Sequence, residues 1–102
     1  MATRLQFRDR LEQVLELDHL YFAPPSGFHL EYDCCIYKIA RRPAKHADNL
    51  KYLKYTAYEC MLIFRDPDSD LPEKLMNGFQ HCEFNRRYMA DNLTHEIFIV
   101  YF

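Results

Sequence analysis

Tryptophan is absent from this 102-residue chain, and glycine occurs only twice, at Gly27 and Gly78. Two isolated glycines cannot build the glycine-rich turn that cradles a phosphate, so that class of nucleotide site is excluded. The four cysteines and five histidines contain no C-x2-C pair and no H-x3-H pair. A structural zinc site built on such spacing is therefore not expected. Neither Ser26 nor Ser69 sits in the G-x-S-x-G frame of a nucleophile elbow. Long hydrophobic runs are missing too. The longest, residues 60–64 and 97–102, fall far short of the ~18 residues that span a bilayer, so a soluble chain with no membrane partner is expected. The N-terminal stretch MATRLQFRDR is polar and charged, unlike a secretory signal. Net charge is only −2, so general nucleic-acid binding by overall basicity is not indicated either.

Rings are abundant instead. Eight Tyr and eight Phe bring the aromatic fraction to 16%, more than a small core needs, which leaves rings available for docking. Charge is unevenly placed. Residues 38–54 carry Lys38, Arg41, Arg42, Lys45, Lys51 and Lys54 against one acid, Asp48. Residues 66–73 carry Asp66, Asp68, Asp70 and Glu73 with no base. Opposite patches on one small domain suit head-to-tail self-association. Cys34, Cys35, Cys60 and Cys82 lie mostly among apolar residues, and adjacent Cys34 and Cys35 point to opposite faces of a strand. They read as reduced core thiols of a cytosolic protein.

Periodicity gives a single α+β domain over residues 1–102. Residues 3–17 form a helix, opened by a Thr3-x-x-Gln6 capping box, with Phe7, Leu11, Val14 and Leu15 on one face and an Arg8–Glu12 pair on another. Residues 18–30, with Pro24-Pro25, read as a connector. Residues 31–39 alternate as a strand. Residues 52–65 form a second strand, apolar on both faces at its end and hence central. After Asp66-Pro67-Asp68-Ser69, Asp70 caps a short helix that stops at Asn77-Gly78. Residues 79–89 and 95–102 are strands joined by an Asp91-Asn92 turn. The apolar end of the last strand must lie inside the sheet or against a neighbouring subunit. The expected architecture is two helices on one face of a mixed or antiparallel sheet of about four strands.

Candidate chemistry is sparse, and no catalytic residue, cofactor or metal is expected. The Asp66-x-Asp68-x-Asp70 spacing starts like a calcium loop but lacks the following glycine, and Asn77 stands where a bidentate Glu is needed. Nucleophilic catalysis would need a thiol and an imidazole brought together by the fold, as in a Cys60–His95 dyad. Lys51-Tyr52-Leu53-Lys54-Tyr55 interleaves bases with rings, which suits single-stranded nucleic acid or a lysine-guarded strand edge. Arg86-Arg87-Tyr88 and Asp91-Asn92-Leu93-Thr94-His95 make a hairpin rich in hydrogen-bonding groups, read either as a turn or as a docking surface. The candidate interface is therefore Lys51, Lys54, Tyr55, Asp66, Asp68, Asp70, Arg86, Arg87, Tyr88, Asp91, Asn92 and His95.

Taken in order, several of these features resemble a known family. They are the Pro-Pro loop, a tyrosine-bearing strand, a long strand ending in Asp66-Pro67-Asp68-Ser69, a short helix, Phe84-Asn85-Arg86-Arg87-Tyr88, and Asp91-Asn92-Leu93-Thr94-His95. Over nearly the whole chain they look like the tail-terminator or tail-completion proteins of tailed bacteriophages, similar in element order to the terminators of lambda-type siphophages. The resemblance implies a six-fold homo-oligomeric ring, a structural virion part and not an enzyme. Such a ring caps the tail tube protein and offers its other face to the head-closure or connector protein, and DNA passes through its lumen without specific binding. It implies a place in the virion neck, and in the host cytoplasm during assembly. A head-closure (stopper) protein of the same neck is the nearest alternative. A small cytosolic nucleic-acid-binding module is the alternative of a different class. In the ring reading, the basic 38–54 segment of one subunit is expected to face the acidic 66–73 segment of the next.

Overall fold

The computed structural model describes residues 3–43 and 54–102. Helix α1 (Arg4–Leu15) starts at the expected capping box. Thr3 Oγ1 accepts from the Gln6 amide at 3.2 Å, and Gln6 Oε1 accepts from the Thr3 amide at 2.8 Å. Two orphan donors of the first turn are thereby satisfied reciprocally. The helix ends two residues before the predicted point because Glu16 turns left-handed (φ 53°) and its amide closes on the Glu12 carbonyl.

The connector after α1 contains a strand that the sequence reading did not anticipate, β1 (Leu20–Phe22), which runs parallel to β2 (Cys34–Arg41). Three residues are too few to show a period of two, and the partner that holds them lies beyond an eleven-residue excursion. Next come β3 (Ala57–Phe64), α2 (Leu71–Gly78), β4 (His81–Ala90) and β5 (Leu93–Tyr101). The strands join in the order β1-β2-β3-β5-β4, so the fold is α+β with a mixed sheet of five strands, where about four were expected. β3 is central, as its two-faced apolar end predicts, and β5 is inside the sheet as its apolar C-terminal run requires. The β4–β5 turn has positive φ at both Asp91 (52°) and Asn92 (62°), the backbone of the hairpin turn whose twist matches the flanking strands.

Both helices cover one face of the sheet. Phe7, Leu11 and Leu15 of α1 and Leu71 and Leu75 of α2 join Cys35, Tyr37, Tyr58, Cys60, Leu62, Phe64, Phe98 and Val100 in one buried cluster. Phe7 is its hub: the ring stacks on Tyr58 at 3.8 Å and meets Tyr37, Phe79 and Phe102 within 6 Å. Asp70 does occupy the N-cap of α2, but its side chain makes no capping hydrogen bond. Ser69 Oγ accepts from the Leu71 amide instead, and Asp70 faces Lys74 at 3.7 Å. The opposite face of the sheet carries Ile36, Met61, His95, Ile99 and Tyr101, half-buried, with no helix over them among the described residues.

Candidate functional site

The two charge clusters stand at opposite ends of the strands. β2 and β3 are antiparallel, with Arg41 beside Ala57 and Cys34 beside Ile63. Lys38, Arg41, Arg42 and Lys54 thus gather where β3 begins, while Asp66, Asp68, Asp70 and Glu73 follow its end. Eight strand residues separate them, roughly 25 Å at about 3.3 Å each. The acidic end is a built turn. Asp66 Oδ1 accepts from the Asp68 amide at 2.9 Å, and the Asp66 carbonyl accepts from the Ser69 amide. Of the basic end, Lys51 and the rest of residues 44–53 lie outside the described residues, and so does most of the basic–aromatic stretch. Lys54 and Tyr55 are exposed, and the Tyr55 ring lies 5.5 Å from that of His81.

The hairpin residues come together, but on both faces of the sheet. A register shift between Phe84 and Arg86 marks a bulge, and it inverts the alternation of β4. Before it, Phe84 points to the helix-covered face, where its ring meets Phe98 edge-on. After it, Arg86 and Tyr88 share the open face. There Tyr88 stacks on His95 at 4.7 Å with planes 12° apart, and the Arg86 guanidinium lies 5.3 Å over the Tyr88 ring. Arg87 points the other way, to a 3.5 Å ion pair with the buried Glu96. Asp91 and Asn92 form the exposed turn between β4 and β5.

The thiols stand as core residues. All four cysteines are free; Cys34, Cys35 and Cys60 are buried and Cys82 is half-buried. Burial pushes Cys34 up to about 12 and Cys82 up to about 11, and it holds Cys60, with Cys35 beside it, well above the ordinary thiol value. A thiol shifted this way is a poor nucleophile. Cys60 and His95 project from opposite faces of the sheet, so they form no dyad. Among the described residues no three His, Cys, Asp or Glu side chains gather in a way that could hold a metal ion. A cavity of about 300 Å³ opens at the basic end, lined by Arg10, Tyr55, Phe79, His81, Tyr101 and Phe102. In its wall, Arg10 donates to the Gly78 carbonyl at 3.2 Å.

Sequence reasoning missed a set of exposed apolar side chains at the two outer strands. Along β1 these are Phe22 and, from the connector, Phe28, with Leu5 of α1. Along β4 they are Phe84, Tyr88 and Met89. Of these, Tyr88 alone belongs to the candidate interface read from the sequence. The signal available was the surplus of rings, which says that some are exposed but not which.

No family model, curated protein or solved structure matches the chain.

Proposed function

We propose that this chain is a structural subunit of a tailed-bacteriophage neck, a tail terminator that closes, six copies at a time, on the end of the tail tube and presents its other face to the head-closure complex. The observation that carries the reading is the order of elements. A capped N-terminal helix, a long central strand running into Asp66-Pro67-Asp68-Ser69, a covering helix and a C-terminal hairpin follow one another as in the lambda-type terminators that the sequence resembles. The separation of charge supports it. A ring between two different partners needs two different faces, and this domain has a basic end and an acidic end on one strand axis.

Light scattering on the purified protein tests the proposal. Six copies of a 12.4 kDa chain give about 74 kDa. A particle of that mass, insensitive to added DNA, is the expected result, either free or once tail tubes are supplied. A monomer that fails to cap tubes and instead binds DNA with a steep salt dependence would overturn it and favour the nucleic-acid module.

A further inference from the structure

We infer that neighbouring copies of this chain join edge to edge, with the β1 side of one copy packed against the β4 side of the next. Eight large apolar side chains are exposed among the described residues; four of them belong to the two outer strands of the sheet, and Phe28 and Leu5 adjoin β1 through Tyr21 and Arg4. On the β1 side, Phe22 is 38% exposed, Phe28 49% and Leu5 61%. They flank the strand on both faces: the Phe28 ring packs on Tyr21 at 5.5 Å, while Phe22, on the helix-covered face with Tyr37, lies 4.3 Å under the guanidinium of Arg4, the neighbour of Leu5. On the β4 side, Phe84 is 51% exposed, Tyr88 37% and Met89 68%.

The two patches are different surfaces on opposite edges of one sheet. A self-complementary dimer would need only one of them. Two distinct apolar edges fit a head-to-tail contact, which closes into a ring when the rotation closes. Charge agrees with this pairing. Exposed acids Asp18 and Glu31 stand on the β1 side, and Arg86 and Arg87 stand on the β4 side. Within the chain Arg4 lies over the Phe22 ring and Glu83 accepts from the Tyr101 hydroxyl, while Glu31 also pairs with His29 and Arg87 with Glu96, so the attraction across the contact rests chiefly on Asp18 and Arg86. The occupant of each edge is therefore a second copy of this chain. Neighbour contact then falls on the edges, and the charged strand ends stay available to the partners above and below the ring, in place of the end-to-end charge pairing that the sequence suggested.

The inference rests on reading the chain as a ring subunit, and the test separates the two. Phe28→Asp blocks one edge and Met89→Asp the other; both side chains are exposed, so both variants are expected to fold, which circular dichroism checks. Each alone weakens self-association by at least about tenfold, as loss of an interface anchor does. Mixed at millimolar concentration, they recover one intact contact and stop at a dimer of twice 12.4 kDa in sedimentation. Either variant assembling like the parent chain overturns the inference. So does a mixture that stays monomeric, or a parent chain that stays monomeric up to millimolar concentration. If the mixing result holds while the parent forms an assembly other than six copies, the edge contact stands and the six-fold reading falls.

Discussion

Replacing Gly78 with alanine probes the seat between the two helices. A β-carbon added at Gly78 would lie 2.2 Å from Val14 Cγ1, 2.6 Å from Cγ2 and 2.9 Å from Cβ. The last distance decides the outcome. Turning the valine about χ1 moves its methyls but not its Cβ, so the clash is relieved only if α1 and α2 part. Overpacking of this kind costs about 1–3 kcal/mol. Alanine's better helix propensity returns less than about 1 kcal/mol, since Gly78 is the last residue of α2. The net expectation is a loss of about 1–2 kcal/mol, and in a domain of this size roughly 5–15 °C in Tm. Val14→Ala removes the offending methyls from a half-buried side chain and costs about 1 kcal/mol alone. The double variant keeps the Val14 Cβ at 2.9 Å and should therefore regain only part of the Gly78→Ala loss, a coupling of about 0.5–1 kcal/mol between the two sites. Urea unfolding of the four proteins, followed by circular dichroism, measures it. A Gly78→Ala protein as stable as the parent, or strictly additive losses, would refute the argument.

Two further perturbations test the site chemistry. Arg87→Ala leaves the Glu96 carboxylate, a residue 8% exposed, without its partner and should cost about 1–3 kcal/mol, discounted toward the lower figure because Arg87 is itself nearly half exposed; adding Glu96→Leu should restore most of the loss in urea unfolding, and no recovery would mean the pair matters for something other than charge. The raised thiols make stability depend on alkali: below about pH 9 they are protonated in folded and unfolded chains alike, and from there toward pH 11 it is the unfolded chain that ionises, so stability is flat at first and then falls. A urea midpoint that holds steady from pH 9 to 11, or a Cys34 or Cys60 that reacts with Ellman's reagent in the folded protein at the rate of free cysteine, would contradict it.

Much of the fold is legible in the residues because the strong signals are local. A capping box, a 3.6 period through Phe7, Leu11 and Leu15, a two-faced apolar run ending at Phe64 and a turn at Asp91-Asn92 each act within a few residues. What escaped is non-local. β1 exists because β2 lies alongside it, and three residues cannot announce that. The missing side-chain cap at Asp70 has the same character, since Ser69 and Lys74 take the available hydrogen bond and charge. Of the candidate interface, Arg86, Tyr88 and His95 do meet, yet strict alternation would have put Arg86 on the covered face. The bulge that reverses it is a property of the β4–β5 pairing, invisible in the spacing of residues 81–90.

That bulge also bears on how an edge strand can take part in assembly without polymerising. β4 is ten residues long and its outer backbone groups face no strand among the described residues, which is the usual template for aggregation. Two features oppose ladder growth there. The bulge between Phe84 and Arg86 breaks the even row of backbone donors and acceptors, and two consecutive arginines charge the edge on both faces. Backbone pairing is thereby discouraged while the side chains stay accessible: Phe84 and Met89 on one face, Tyr88 on the other. The complementary edge is similarly arranged, for β1 offers only three residues of backbone but carries Phe22 and is flanked by Phe28 and Leu5. Contact between such edges is decided by side-chain packing, which saturates when one neighbour has docked. Its strength should accordingly fall only shallowly with salt, through the few acids of one edge and the arginines of the other, whereas a contact between the basic and acidic strand ends would weaken steeply as salt rises. Sedimentation of the parent chain across a salt series therefore separates the two modes of contact.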